Sequence, residues 1–313
     1  MTQPVPPPDL DVSVVLPVFN EAGHVRDEID RIRAGLDASP YSYEIIVVDD
    51  GSTDGSAEIL GGIDDIRLIR FGRNRGSGSA RKAGTRAARG RVIVWTDADM
   101  THPNDQIPHL VKALEGHDQI VGVRLSEEGT LKALRVPAKW SIRKLAEYLS
   151  KTPIPDLNSG FRAFRREVGT QFLHLLPPGF SCVTTMTMTF LANGYSVGYV
   201  PIDYQPRAGE SKFHWWTDTK LYVLQVVRLV LSYNPLRVFG PLATLFFVAG
   251  LAKLGWDAYD KDFRLATNTL LVFFAAFQLI VIGFLADLVV RVTRPRDEVD
   301  PAVQEQTRTL GGG

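Results

Sequence analysis

The sequence predicts an α/β domain built on a mainly parallel sheet, followed by an amphipathic interface helix and two membrane-spanning helices. Three observations carry this expectation. Short β-branched runs alternate with amphipathic stretches in the first part of the chain, the signature of βαβ units. Residues 265–286 are a charge-free apolar stretch of about 22 residues, enough to cross a hydrocarbon core of ~30 Å; residues 238–252 are a shorter one, resuming through Trp256 after Lys253. Basic residues flank this pair while its connection, 257–264, is net acidic, the charge pattern of a membrane hairpin.

The elements follow in order. Residues 12–17 read as a first strand, and 22–36 as a helix with Ile29, Ile32 and Leu36 on one face. A second strand, 44–48, ends at Asp49-Asp50-Gly51-Ser52; a short helix, 56–60, and a third strand, 66–70, come next. Residues 78–89 form a helix rich in alanine and arginine. Gly76-x-Gly78 at its start follows no convincing strand, so it reads as a helix start rather than a dinucleotide fingerprint. A strand over 91–96 leads to Asp97, and 118–123 is a further strand. Ligands of such sheets gather beyond the carboxyl ends of the strands, where 17–21, 49–54 and 97–99 all fall.

After this domain, Trp215 and Trp216 stand among basic residues, and Leu221, Leu224, Arg228 and Leu231 recur at helical spacing, as in a helix lying in the headgroup layer. Lys212, Lys220, Arg228 and Arg237 precede the first span, and Arg291, Arg294 and Arg296 follow the second. The positive-inside rule then puts the first domain and the tail on the cytoplasmic side of a cell membrane, or of an ER membrane in a eukaryote. The expected organisation is a disordered lead over 1–10, a domain over 11–212, an interface helix over 213–234, a hairpin over 235–292 and a cytoplasmic tail over 293–313. The N-terminus has neither a basic start nor an apolar core, so no signal peptide is expected. Lys and Arg balance Asp and Glu, 35 against 35, which gives no footing for nucleic-acid binding, and the single Cys182 excludes an internal disulfide.

Asp97 and Asp99 carry the clearest chemistry. Alternate side chains of a strand share a face, so two carboxylates at this sheet rim can converge on one hard cation, Mg2+ or Mn2+, together with a diphosphate. An acidic turn or helix cap is the competing reading of Asp-x-Asp alone. Three more motifs accompany it: Val15-Leu16-Pro17-Val18-Phe19-Asn20-Glu21, the IIVVDDGSTDGS run over 45–56, and NSGFRAFRR over 158–166.

These four motifs, in this order, resemble the inverting nucleotide-sugar glycosyltransferases of the GT-A, Rossmann-like fold. The chain is most similar to the polyprenyl-phosphate glycosyltransferases, relatives of dolichol-phosphate mannose synthase with a C-terminal membrane hairpin, over about residues 11–292. The resemblance implies a nucleotide pocket at Pro17, Phe19, Glu21, Val48, Asp50 and Ala98, with Asp97 and Asp99 as metal ligands and catalytic groups, Asp99 foremost. Asp49 and Asp50 also suit a turn-and-cap role before Ser52. Arg124, Ser159 and Arg162, with Arg143 from the following helix, are expected around an acceptor phosphate, Arg124 counting as catalytic. Arg207 and Lys212, in a basic Gly-x-Ser-Lys loop, are expected over the donor diphosphate, although an electrostatic membrane anchor is the simpler reading of that loop.

The expected reaction is metal-dependent, inverting transfer of a hexose-type sugar, UDP-linked slightly ahead of GDP-mannose, to a polyprenyl or dolichyl phosphate. A homo-oligomer is expected from the same resemblance. A processive polysaccharide synthase and a catalytically silent nucleotide- or lipid-binding scaffold are the competing functions. The first is disfavoured by the presence of only two spans, the second by the intact Asp97-x-Asp99. Thr101 departs from the pattern by standing where some relatives have a glutamine near the metal.

Overall fold

The structure, a computed structural model, describes residues 10–124, 144, 147, 153–179, 181–205, 231, 235–260 and 266–293. Arg143, Arg207, Lys212, the lead apart from Leu10, the tail apart from Thr293 and the interface segment apart from Leu231 lie outside the described residues, and Leu10 opens the first strand rather than belonging to a disordered lead. The chain divides into two compact units between residues 229 and 230.

In the first unit, seven described strands form one sheet: β1 Leu10–Val18, β2 Tyr43–Asp49, β3 Arg67–Arg70, β4 Gly90–Trp95, β5 Gln119–Arg124, β6 Arg162–Arg165 and β7 Val197–Ile202. Their order is β3-β2-β1-β4-β6-β5-β7. Only β6 runs against its neighbours, pairing antiparallel with β4 and β5, so the mainly parallel expectation stands. Neither β6 nor β7 is legible in the sequence. β6 has four residues and a basic residue at each end, and β7 carries Pro201, a residue an edge strand tolerates because one row of its N–H groups needs no partner.

The pleat sorts the apolar residues onto two cores. Val12, Val14, Leu16 and Val18 of β1 meet helix α1 (Val25–Asp37) and α4 (Ile107–Lys112) on one face. Val15, Ile46, Val48, Ile93 and Trp95 meet α3 (Ser77–Ala87) and, further on, α6 (Ser181–Ala192) on the other. The unit also holds the short α2 (Ser56–Gly61) and α5 (Arg166–Gly169). Trp95, without accessible surface, donates its Nε1–H to Thr85 Oγ1 at 2.9 Å, so this large ring is buried with its polar atom satisfied.

Helix α1 starts three residues later than expected. The N–H groups of Asn20, Glu21 and Ala22 are taken by Ser52 Oγ, Ser56 Oγ and Asp54 Oδ2 at 3.0, 3.0 and 2.9 Å, which holds this stretch as a turn. The loops after β1 and β2 are thereby stitched together. Register then aligns the rim: Val18 pairs with Asp49, and Val15 with Trp95. The residues just beyond these strands, which include Phe19, Asp50 and Asp97, emerge along one edge.

The second unit is an antiparallel helix pair, α7 (Leu236–Asp260) and α8 (Thr267–Thr293). Both are long and apolar enough to cross a membrane by length and composition. Leu245, Phe247, Leu271, Phe277 and Leu288 are exposed, unlike the side chains of a core helix. The helices approach closely at small residues: a Cβ on Gly250 would lie 3.0 Å from the Phe273 ring, and one on Gly283 would lie 2.9 Å from Phe239 Cβ.

One detail differs from expectation. α7 continues through Asp257, which the sequence assigned to the acidic connection. Asp257 is buried against α8, where Thr269 Oγ1 donates to its Oδ2, and Lys253 reaches Oδ1 at 3.3 Å. Lys253 is thus paired along its own helix.

Candidate active site

The loop following β4 presents the two aspartates, and its neighbours define the site. Asp97, whose side chain is about one third exposed (34%), receives Arg81 Nη2 on Oδ1 and meets His102 Nε2 at 3.2 Å on Oδ2. Arg81 comes from α3, and its guanidinium sits 5.8 Å from the Trp95 ring centre. His102 is stacked on Phe161 at 5.5 Å and lies edge-on to Tyr204 at 5.6 Å. Asp99 Oδ1 accepts from Thr101 Oγ1 at 2.6 Å, so Thr101 orients this carboxylate. Met100, between them, has a left-handed backbone (φ 61°), rare for a side chain of that size, and turns the chain sharply after Asp99.

The acceptor-side motif lies directly on this loop. A Cβ on Gly160 would meet Asp97 Oδ2, so a side chain in Ser159-Gly160-Phe161-Arg162 would displace the carboxylate or the segment that covers it. Arg124, at the end of β5, forms a two-pronged pair with Asp156, Nε to Oδ2 at 2.7 Å and Nη2 to Oδ1 at 2.9 Å. Burial raises the Asp156 pKa, but Arg124's hydrogen bonds and charge outweigh that and hold it below the usual carboxylate range. Tyr204 lies 5.3 Å beneath the Arg124 guanidinium, and Gln205 N donates to Thr101 O at 3.0 Å. Arg124, Tyr204, His102 and Asp97 are therefore contiguous.

Three of the expected contact residues are engaged within the protein itself. Arg162 has no accessible surface: Nη1 donates to Val183 O at 2.6 Å and Thr187 Oγ1 at 2.9 Å, and Nη2 to Ser159 O. Burial pulls its pKa down to about 10. It ties β6 to α6 and holds Ser159 rather than facing an acceptor. Val48 is likewise fully buried, in the second core, because α3 covers it. Asp50 spends both oxygens on the backbone N–H groups of Arg75 and Gly76, at 2.7 and 2.8 Å, and burial raises its pKa despite them. It clamps the start of α3, while Asp49 Oδ1 accepts from Ser52 N at 3.0 Å, so both aspartates serve turns and caps.

Pro17, Phe19 and Glu21 are half-buried along the rim, and Ala98 is buried between the aspartates. Ser159 is buried, and its hydroxyl has no hydrogen-bond partner among the described residues. The sequence reading missed Arg81, His102, Tyr204 and Asp156. Arg81 left one signal: it interrupts a stripe of small residues, Gly78, Gly84 and Thr85, on the buried face of its helix.

Asp97 and Asp99 suit Mg2+ or Mn2+. Among the described residues no cluster of three His, Cys, Asp or Glu forms a closed cage. A pair of carboxylates that leaves the remaining positions to phosphate oxygens and water is how such ions accompany nucleotides.

The profile of glycosyl transferase family 2 matches residues 13–170, and that of the GtrB C-terminal hairpin matches 234–292. The undecaprenyl-phosphate 4-deoxy-4-formamido-L-arabinose transferase of Shewanella sediminis (strain HAW-EB3) is 30% identical, over 95% of this chain and 94% of its own. The protein of the same name from Enterobacter sp. (strain 638) is 30% identical over 91% of each. Among solved structures, glucosyl-3-phosphoglycerate synthase from Mycobacterium tuberculosis, in complex with Mn2+, UDP and glucosyl-3-phosphoglycerate, superposes with a TM-score of 0.56 at 21% identity, covering 71% of this chain and 80% of that one. At that identity the likeness is one of fold.

Proposed function

Because this chain belongs to glycosyl transferase family 2, with a GT-A fold and a GtrB-type C-terminal hairpin, we propose that it transfers a sugar from a nucleotide diphospho-sugar to the phosphate of a polyprenyl-phosphate lipid. The observation that carries this reading is the seating of Ser159-Gly160 on Asp97, which brings the donor-side carboxylates against the acceptor-side motif. The relatives' names support an undecaprenyl acceptor and a modified arabinose, a pentose, so the expected restriction to hexoses is dropped. A UDP-linked donor remains the favoured form.

The acceptor is its own nucleophile. A phosphate monoester has a second pKa near ~6, so at neutral pH its oxygen is anionic and needs no protein base. It attacks the anomeric carbon opposite the nucleotide; a carbon–oxygen bond forms to the lipid phosphate as the bond to the diphosphate breaks, with inversion. Asp97 and Asp99 would hold a divalent cation, whose chemistry when bound is to neutralise charge on the departing diphosphate. Arg81 and His102 keep Asp97 aimed. Arg124, braced by Asp156, and the Ser159 hydroxyl are the proposed acceptor-phosphate contacts, and Arg143 is proposed as a further one from the resemblance alone. Arg207 and Lys212 are proposed over the donor diphosphate, and Pro17, Phe19 and Glu21 along the nucleotide.

The proposal includes two membrane crossings with the catalytic unit cytoplasmic, and assembly of copies through the hairpin. Full-length protein in membranes, given radiolabelled UDP-pentoses, UDP-hexoses and GDP-mannose with Mn2+ and undecaprenyl phosphate, should yield an organic-extractable labelled lipid. Label appearing only in polymer, or nowhere, overturns the reading.

A further inference from the structure

Helix α1 buries Val25, Ile29, Ile32 and Leu36 as one apolar stripe, and Glu28 lies inside that stripe without accessible surface. A leucine there would serve packing better, because a buried carboxylate must be compensated. Its compensation comes from the loop that carries the aspartates. Asn104 Nδ2 donates to Glu28 Oε2, and Thr96 Oγ1 donates to Asn104 Oδ1; both Thr96 and Asn104 are fully buried. Arg31 Nη1 donates to Glu28 Oε1 at 3.3 Å, and its Nη2 reaches Asp105 Oδ1 at 3.2 Å.

Thr96, Asn104 and Arg31 Nη1 all donate towards Glu28, so the carboxylate is where these hydrogen bonds end, while Arg31 Nη2 carries the network on to Asp105. The network grips the aspartate loop on both sides. Thr96 immediately precedes Asp97, and Arg31 Nη1 stands 4.0 Å from the sulfur of Met100, the left-handed residue after Asp99. Beyond them, a Cβ on Gly35 would lie 2.5 Å from Asp105 O, so α1 and the loop are in close backbone contact with little slack.

We propose that Glu28 is a positioning residue for the transfer reaction: through Asn104, Thr96 and Arg31 it fixes the backbone of 96–100 and hence the aim of the Asp97 and Asp99 carboxylates. This rests on the metal–diphosphate role given to those aspartates above. Glu28 touches neither substrate nor metal. Removing it loosens the loop, so the binding of Mn2+ and donor weakens before the rest of the unit does.

The test compares full-length wild type, Glu28→Ala, Glu28→Gln and Glu44→Ala. Glu44 is the control, a carboxylate at the opposite end of β2 that accepts from Ser13 Oγ, Arg67 and Arg89 N at 2.7, 2.6 and 2.7 Å. Mn2+ binding in the presence of UDP is followed by electron paramagnetic resonance, and the Mn2+ and donor dependence of transfer by initial rates. Glu28→Ala should raise the half-saturating Mn2+ concentration and the donor KM about tenfold, leaving the acceptor KM near wild type. Glu28→Gln, which keeps the shape and one acceptor oxygen, should recover part of that loss. Glu44→Ala should lower the melting temperature without moving either value. Equal Mn2+ dependence in the Glu28 variants and Glu44→Ala overturns the proposal. If Glu28→Ala does not fold, Glu28→Gln alone decides, since wild-type Mn2+ and donor values in it are equally fatal. A wild type that binds no Mn2+ with UDP overturns the metal reading itself, a distinct failure that removes this proposal with it.

Discussion

A guanidinium without accessible surface reaches a lipid phosphate only by releasing Val183 O, Thr187 and Ser159 O, and Arg162 is so held. Its neighbour Gly160 has the opposite character, important for the side chain it lacks. The two positions should therefore fail differently. Arg162→Ala removes several buried hydrogen bonds and should cost about 3 kcal/mol of stability, read as a fall in thermal midpoint. Gly160→Ala should lower turnover by about a hundredfold with little change in that midpoint, because it displaces Asp97 or the segment over it. Wild-type turnover in Gly160→Ala would show that the segment has room. Asp156 gives a pH-dependent counterpart. Its folded pKa lies below the unfolded value near ~3.9, so its contribution is complete above that value and is lost as pH falls through the lower, folded one. Asp156→Asn should thus be less stable than wild type by about 2 kcal/mol at neutral pH, the gap closing below about pH 4. A gap that persists unchanged into stronger acid would mean the pair with Arg124 contributes nothing.

Elements whose identity depends on local pattern were legible. The Ile29, Ile32 and Leu36 spacing marked α1, and the β-branched runs marked β1 to β5 to within a few residues. The start of α1 was not, because it is delayed by Ser52, Ser56 and Asp54, side chains some 30 residues away in sequence. The same limit divides the site. Asp97 and Asp99 announce themselves by adjacency, whereas Arg81, His102 and Glu28 acquire their roles only when α1, α3 and the loop after β4 converge. In the hairpin, apolar length was readable and the contact face was not, since Gly250 and Gly283 matter through Phe273 and Phe239 on the opposing helix. Phe247 and Phe273 have ring centres 5.6 Å apart. Cysteines at these two positions, with the sole native Cys182 changed to serine, should be joined by a short bifunctional thiol reagent, and adding Gly250→Leu should abolish the link by forcing the helices apart. Cross-linking unaffected by the leucine would contradict the close approach.

At the scale of the whole molecule, equal numbers of acidic and basic residues conceal a segregation: basic residues flank the apolar helices, while Asp49, Asp50, Asp54, Asp97 and Asp99 gather at the rim of the sheet. The first unit carries the charged rim, and the second presents apolar side chains outward. The reaction proposed for them joins a water-soluble donor to a lipid, which is why one chain carries both. The buried contact between Asp257 and Thr269 has a consequence for how such a chain is made. During synthesis α7 emerges first, carrying a carboxylate that is costly to move into hydrocarbon, and the hydroxyl that donates to it arrives only with α8. Under the two crossings proposed above, Lys253 screens this carboxylate within α7 and the Thr269 donor completes its burial, so the hairpin reaches its settled state only once both helices have been made.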